Sequence, residues 1–233
     1  MQADPFQSVR EFEHELCAYT GAHYAVAVNS CTMALLLACA WFREFRPEHG
    51  VDTISLPKLT YVGVPQSVIH AGFGVEWRDE DWQGEYRLDP FPVWDSARRF
   101  TVGMFNMKTT FEHDGHVTKK HVHRFESTTR FQCVSFHVSK ILGHSQGGAI
   151  LHNHPEADGW LRRARFDGRT EGVPADQDSF NMLGWHCYMS PDVAAQLRFK
   201  LSVLPNHNPD LPRSNYPDLS RFPVFLGKTA SAR

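Results

Sequence analysis

The sequence predicts an α/β fold of three layers, with helices on both faces of a mostly parallel central sheet. Between residues 24 and 77, short apolar runs of strand length alternate with longer helical segments. Alternation over such short connections favours a parallel sheet covered by helices. The composition agrees, because 42% hydrophobic and 21% charged residues in a chain of 233 are typical of a globular protein with one large domain.

The first half of the chain predicts a regular succession of helices and strands. Val9, Phe12 and Leu16 recur on one face of a first helix, which begins after Asp4-Pro5 and ends near Gly21. Apolar runs and breakers define the elements that follow. These are strands over 24–28, 52–56 and 75–77, a helix over 33–45, and an irregular helix over 61–70.

The second half predicts strands over 92–95, 131–136 and 147–151 and helices over 155–165 and 191–204. A hairpin insertion is expected near residues 101–125, because Asp114-Gly115 lies between two runs of β-formers. Residues 1–204 should therefore form one large domain that carries this hairpin. Residues 205–233 should form an irregular C-terminal tail, since Asn, Pro and Asp are frequent there.

Charge, hydropathy and cysteine content exclude several classes of protein. The formal charge is −2, so nothing predicts a nucleic-acid partner. The longest apolar run has ten residues, far short of the roughly 20 that span a bilayer, so no membrane partner is expected. The first residues do not resemble a secretory signal, and the five cysteines lack CxxC spacing. We therefore expect a cytoplasmic protein with reduced thiols.

Three short segments carry residues suited to chemistry. The turn Asn29-Ser30-Cys31-Thr32, between a strand and a helix, offers free N–H groups and hydroxyls for a phosphate, or is an ordinary helix cap. Lys140 follows a strand in a glycine-punctuated loop, where it is either a reactive amine or a solvated surface charge. Asp95 ends an apolar strand, where it either pairs with a cation or caps a turn.

Taken together and in order, these segments resemble the DegT/DnrJ/StrS-type sugar aminotransferases, a branch of the fold-type I pyridoxal-phosphate (PLP) enzymes. The resemblance begins with the run from Tyr19 to Leu35 and continues through Pro57–Tyr61 and Asp95-Ser96-Ala97. It then includes the Ser-Phe-His-x-x-Lys signature at residues 135–140 and a later segment at 184–189. The resemblance implies the large domain of fold type I, with the small C-terminal domain largely missing from a shortened member.

The resemblance also implies a role for each matching residue. Lys140 would be the catalytic lysine that forms the Schiff base with PLP, and Asp95 would pair with the pyridine nitrogen. Tyr61 would stack on the cofactor ring. Arg98 stands where the family usually has a glutamine near the phenolic oxygen, and His186 stands at the family's asparagine in a segment that reaches the neighbouring subunit. The phosphate would be bound by Ser30, Cys31, Thr32 and Ser135.

The resemblance implies small-molecule substrates and a homodimer. The expected reaction moves an amino group from an amino acid, glutamate or glutamine, to a keto group on a nucleotide-linked sugar. Two alternatives remain open: a catalytically degenerate member that acts as a binding or scaffold protein, and a different PLP reaction on a larger acceptor.

The central histidines are a candidate metal site. His121 and His123 share one face of the predicted hairpin, and His113 and His116 flank its turn. No cysteine or paired acid completes a ligand set, so we expect no metal and interpret these histidines as exposed or packed. We likewise expect the arginines of the helix over 155–165 to lie on a solvated face.

Overall fold

The computed structural model describes residues 4–47, 50–106 and 129–226. Five α-helices and seven β-strands lie in these ranges, and apart from β4 their ends differ by at most two residues from those that the sequence predicts. The helices are α1 (Gln7–Thr20), α2 (Cys31–Phe45), α3 (Gly63–His70), α4 (Pro155–Ala164) and α5 (Pro191–Ser202). The strands are β1 (Tyr24–Val28), β2 (Thr53–Pro57), β3 (Gly74–Arg78), β4 (Tyr86–Arg87), β5 (Val93–Asp95), β6 (Phe131–Ser135) and β7 (Gly148–His152).

The main sheet has five strands in the order β1-β7-β6-β5-β4, and β2 and β3 form a separate parallel pair. Within the main sheet only β5 and β6 run parallel. The α/β class is confirmed, but the sheet is mixed rather than mostly parallel. The reason is local: loops without a helix join β4 to β5 and β6 to β7, and such connections return the chain antiparallel to the preceding strand.

Two hydrophobic clusters lie on opposite faces of the main sheet and define the three layers. Along β1, Val26 and Val28 belong to the cluster beneath α2, α3 and α4, whereas Ala25 and Ala27 belong to the cluster beneath α1 and α5. This alternation follows from the two-residue period of a strand. The helix α2 is buried along most of its length because it packs on β5, β6 and β7 and against α3 and α4.

The hairpin expected near residues 101–125 lies only partly within the described residues. At 101–106 the expected strand is absent, and a 3-10 turn spans Met104–Asn106 instead, because Gly103 adopts a positive φ of 69° and ends the extended backbone. The rest of the predicted hairpin, with its four histidines, lies outside the described residues. Among the helices that are described, none has the length and apolar composition needed to cross a bilayer.

Candidate active site

The turn between β1 and α2 forms one end of the candidate site. Ser30 is the N-cap of α2, and its Oγ accepts a hydrogen bond from Met33 N at 3.2 Å. Ser30 therefore caps the helix, which is one of the two roles that the sequence predicts for this turn. The N–H groups of Cys31 and Thr32 lie in the first turn, where a helix offers no carbonyl acceptors. Together with the positive end of the helix dipole, these groups can bind an anion.

Gly148 allows this turn to approach the sheet closely. A Cβ at this position would lie 2.5 Å from Cys31 N and 2.6 Å from the Ser30 carbonyl carbon, so only glycine fits without a shift of the backbone. In the sheet, Gly148 pairs with Val28 on one side and with Ser135 on the other. Ser135 is thereby placed beside the anion-binding turn.

Asp95 lies at the end of β5, where the carboxylate is buried. Its Oδ2 accepts a hydrogen bond from the Tyr86 hydroxyl at 2.7 Å, and its Oδ1 accepts one from Ala97 N at 3.0 Å. Asp95 pairs with Cys133 in the parallel register, two residues before Ser135. Two strand residues span about 7 Å, so the carboxylate and the anion-binding turn lie at one edge of the sheet within the length of a small ligand.

Electrostatics connect Asp95 to Lys140 and Arg98. Burial raises the pKa of Asp95 above its ordinary value, and the two hydrogen bonds and the charges of Lys140 and Arg98 offset only part of this rise. The Lys140 charge also acts on the buried thiol of Cys31. Within the described residues, no lysine, arginine or histidine forms an ion pair with Asp95. The site thus holds a buried carboxylate that no cation of the described residues contacts directly.

The loop that carries Lys140 is fixed at several points. Lys140 N donates to the His137 carbonyl at 2.8 Å, and His144 N donates to the Phe136 carbonyl at 2.6 Å. Helix α5 holds the same loop from outside, because the His144 ring lies 2.8 Å from Gln196 Oε1. These contacts order the backbone around a half-buried lysine next to the acidic end of β5.

Arg98 and Tyr61 lie beside the C-terminal tail. The Arg98 guanidinium donates from Nη2 to Ser214 Oγ, whereas its Nε is buried and has no hydrogen-bond partner among the described residues. Tyr61 is 53% exposed, and its ring centroid lies 6.4 Å from that of Tyr216. The loop before α3 is tight there, because a Cβ on Gly63 would meet the Tyr61 ring at 2.8 Å.

His186 lies apart from the other predicted site residues. Its Nδ1 is 2.8 Å from Asp167 Oδ2, its ring contacts Tyr188, and its side chain is 71% exposed. These contacts give no support, within one chain, to a cofactor-binding role. Such a role for His186 remains a prediction that depends on a neighbouring subunit.

The polar groups that support Asp95 are not predicted from the sequence. Strand β4 was not predicted, although Gly84, Tyr86 and Leu88 alternate with polar residues. Its Tyr86 hydroxyl lies 2.5 Å from Thr60 Oγ1 as well as bonding to Asp95. The neighbouring Glu85 is fully buried and accepts hydrogen bonds from Ser96, Arg99, Arg130 and Gln132.

The arginines of α4 do not all face solvent, so that prediction is wrong. Arg165 is 1% exposed and forms ion pairs with Glu13 and Glu171. Arg162 also pairs with Glu13, at 2.6 Å. Glu13 lies on α1, about 150 residues earlier in the chain, so no local pattern reveals these partners. In the part of the chain that is described, no group of three metal-ligating side chains occurs.

Comparison with known proteins gives the class. The fold matches that of the sugar aminotransferase CalS13 from Micromonospora echinospora with a TM-score of 0.63 and 17% identity, over 85% of this chain and 61% of that one. It also matches GDP-4-keto-6-deoxymannose-3-dehydratase with a trapped PLP-glutamate geminal diamine, with a TM-score of 0.62 and 19% identity, over 85% and 61% of the two chains. The fold is that of the fold-type I PLP enzymes.

Sequence comparison finds matches to one family over the first part of the chain. Residues 3–90 match the model of the DegT/DnrJ/EryC1/StrS aminotransferase family. Over 82 residues the chain is 39% identical to the spore coat polysaccharide biosynthesis protein SpsC from Bacillus subtilis (strain 168), which covers 35% of this chain and 20% of SpsC. Over residues 3–90 these matches confirm the resemblance to the DegT/DnrJ/EryC1/StrS family. The chain spans only part of each of these relatives.

The residues present fit PLP on three observations. The N-terminus of α2 presents to a phosphate the N–H groups of its first turn, for which the helix supplies no carbonyl partner. The buried Asp95 carboxylate lacks a contacting cation among the described residues, and a protonated pyridine nitrogen would supply one. The buried Arg98 Nε has no partner among those residues, and a phenolic oxygen would accept its hydrogen bond.

Proposed function

We propose that this protein is a PLP-dependent aminotransferase that transfers an amino group from an amino acid to a keto group. The observation that carries the proposal is the placement of Asp95. A carboxylate that is buried without a contacting cation costs free energy, and such a cost is typical of functional sites. Lys140 and the turn of Ser30, Cys31 and Thr32 flank this carboxylate at the same edge of the sheet.

In this proposal each side chain has one task. When bound, PLP supplies an electron sink that stabilises negative charge on the substrate carbon. Lys140 would hold the cofactor through Nζ, and the same atom would accept and return a proton during the reaction. Asp95 would keep the ring nitrogen protonated. Arg98 would donate a hydrogen bond to the phenolic oxygen, and Tyr61 would pack against the ring.

The phosphate end relies on the backbone as much as on side chains. The N–H groups of Cys31 and Thr32 and the hydroxyls of Ser30, Thr32 and Ser135 would hold the phosphate. Since Gly148 brings the turn against β7, these donors are arranged before the ligand arrives. Preorganised donors lose less freedom on binding and therefore bind more tightly.

We further propose a nucleotide-linked sugar as the acceptor and glutamate or glutamine as the donor. Support comes from the names of the relatives: SpsC is a polysaccharide biosynthesis protein, and CalS13 is a sugar aminotransferase. The dehydratase of the same fold acts on a GDP-linked sugar, as its name states. Assays with amino acids and keto sugars would separate transamination from dehydration, because only transamination places the donor's nitrogen in the sugar product.

A homodimer in the cytoplasm completes the proposal. Tyr61, Val62 and Val138 expose apolar surface beside the site, which a second subunit would cover. All five cysteines are unpaired, as suits a reducing compartment. Light scattering at micromolar concentration should give twice the mass of 26.6 kDa, and cell fractionation should recover the protein in the cytoplasmic fraction.

The decisive experiment is covalent trapping. The protein is incubated with PLP, its visible absorption is recorded, and borohydride is added before peptide mass analysis. We expect an absorption band that reduction removes and a pyridoxyl group on the Lys140 peptide. Lys140→Ala should show neither signal. Lys200→Arg is the matched control, because it removes an exposed amine but keeps the cation that donates to the Gly143 carbonyl.

The result separates the candidate functions. Labelling at Lys140, together with loss of the absorption band when an amino-acid donor is added before any reduction, supports the aminotransferase. Labelling without any amino-acid response supports the degenerate binding protein. Labelling spread over several lysines, equally in Lys140→Ala, would refute the cofactor site itself.

A further inference from the structure

The C-terminal tail crosses the segments that carry the proposed site residues. Residues 206–219, here called the strap, lie along the edge of the large domain and are joined to it by backbone hydrogen bonds. Val102 N donates to the Asn206 carbonyl at 3.0 Å, and Leu211 N donates to the Arg98 carbonyl at 2.9 Å. Leu219 N donates to the Lys58 carbonyl at 3.0 Å, three residues before Tyr61.

A partly buried ion pair anchors the middle of the strap. Asp210 accepts from Arg99 Nη2 at 2.6 Å and from Nε at 3.0 Å, and Arg99 also pairs with the fully buried Glu85 at 2.6 Å. Gly84 allows this approach, because a Cβ there would lie 2.2 Å from the Asp210 carboxylate. A bidentate pair of this kind fixes the strap in one position.

The strap meets two of the proposed cofactor-binding side chains. Ser214 Oγ accepts a hydrogen bond from Arg98 Nη2, and the buried Arg98 Nε has no hydrogen-bond partner among the described residues. The Tyr216 ring stacks on Trp82 with an interplanar angle of 14° and lies 6.4 Å from the Tyr61 ring. Tyr61 is otherwise exposed, so Tyr216 is its aromatic neighbour on the strap side.

Resting on the proposed function, we propose that the strap forms one wall of the cofactor site. In it, Ser214 positions the Arg98 guanidinium and Tyr216 positions the Tyr61 ring. Neither residue is catalytic, because each acts through its neighbour. An arginine side chain has many rotamers, so a fixed Nη2 lowers the entropic cost of placing Nε against a ligand oxygen.

Ser214→Ala tests the first contact through PLP binding, measured by equilibrium titration of the visible band. We expect the dissociation constant to rise about tenfold, the order expected for one hydrogen bond to a charged group. The pH midpoint of the bound cofactor's absorption should also move upward, because a mispositioned Arg98 stabilises the phenolate less. Ser220→Ala is the matched control, since Ser220 Oγ donates to Asp218 and not to Arg98.

Tyr216→Ala tests the second contact. Loss of the ring should weaken PLP binding several-fold, and Tyr216→Phe should restore it, because the ring rather than the hydroxyl packs near Tyr61. Circular dichroism and urea unfolding would establish that each variant is folded. A purely structural strap would lower stability without moving the absorption midpoint.

The outcomes distinguish this inference from the proposed function. If the unmodified protein binds PLP at Lys140 but Ser214→Ala matches Ser220→Ala in affinity and in absorption midpoint, the strap is not part of the site and only this inference fails. If the unmodified protein binds no PLP, the proposed function fails and this inference fails with it.

Discussion

Two buried carboxylates, Glu13 on α1 and Asp95 at the end of β5, have pKa values that are shifted in opposite directions by their surroundings. Burial alone would raise the pKa of both. Arg165, Arg162 and the Ala27 N–H outweigh burial at Glu13 and hold its pKa below the ordinary value of 4.5. At Asp95 the partners are mainly neutral donors, and its pKa stays above the ordinary value of 3.8.

The difference separates structural charge from functional charge. Glu13 has its cations within the chain, so its ionised form belongs to the folded state. Among the described residues no cation contacts Asp95, so its ionisation costs stability until a ligand supplies one. The predictions below change one side of this comparison at a time and run from the largest expected change in the free energy of unfolding to the smallest.

Glu13→Gln should have the largest effect. It leaves the buried guanidinium of Arg165 without its main partner, and breaking a buried pair in this way costs about 3–5 kcal/mol. Urea unfolding gives the difference. Glu15→Gln on the same helix is the control, because its pair with Arg198 is partly exposed and should be worth less than about 1 kcal/mol. Equal effects of the two variants would contradict a structural role for the Glu13 cluster.

The pH dependence of this difference has a fixed sign. Because the folded pKa of Glu13 is lowered, its contribution is fully present above 4.5 and is lost as the pH falls through the lowered value. The gap between the unmodified protein and Glu13→Gln should therefore close in acid. A gap that widened as the pH fell below the ordinary value of 4.5 would reverse this assignment.

Gly148→Ala should have the next largest effect. The added Cβ would overlap Cys31 N, and the strain of moving the turn away from β7 should cost about 1–3 kcal/mol and weaken PLP binding. Gly159→Ala in α4 is the control. Nothing lies within 4 Å of a Cβ there, so it should stabilise the helix by about 0.5–1 kcal/mol. Urea unfolding of both variants checks the signs, and a neutral Gly148→Ala would show that the turn is not held tightly.

The sequence predicts local structure well and long-range contacts poorly. Outside the hairpin expected near residues 101–125, the periodicity of the apolar residues locates the predicted helices and strands to within two residues, because these patterns reflect which face of each element is buried. It does not reveal the antiparallel β7 or the short β4, since pairing depends on how loops return the chain.

In the candidate site, too, the local segments are predictable from the sequence and the long-range contacts are not. Ser30, Asp95 and Lys140 stand in recognisable segments, and the structure brings those segments to one edge of the sheet. The contact between Ser214 and Arg98 joins residues 116 apart in the sequence, and that between Arg165 and Glu13 joins residues 152 apart. No periodic pattern encodes such contacts, so the sequence predicts only an irregular tail.

Tyr86→Phe should have a smaller effect. It removes the hydroxyl that donates to Asp95 and leaves Thr60 Oγ1 without that partner, which should cost about 1 kcal/mol. With one donor fewer, the pKa of Asp95 should rise further, so the acid limit of PLP binding should move to higher pH. Titration of PLP binding against pH measures the shift, and Tyr24→Phe is the control. An unchanged acid limit would mean that Tyr86 does not tune the carboxylate.

Asp95→Asn should have the smallest effect on stability and a large effect on binding. The amide that replaces the carboxylate can still accept from Ala97 N, and it can donate to the Tyr86 hydroxyl, which is then free to donate to Thr60. Because the pKa of Asp95 is raised, its ionised form opposes folding above that value, and the amide removes this cost. The free energy of unfolding at neutral pH should therefore stay within about 1 kcal/mol or increase.

PLP affinity of Asp95→Asn should nevertheless fall by about tenfold to a hundredfold, because the ring nitrogen loses a charged partner. This pattern is the reverse of the one expected for Glu13→Gln, which should lose stability while the site residues remain in place. A loss of several kcal/mol on Asp95→Asn with unchanged PLP affinity would assign Asp95 to the framework, and the distinction between the two carboxylates would disappear.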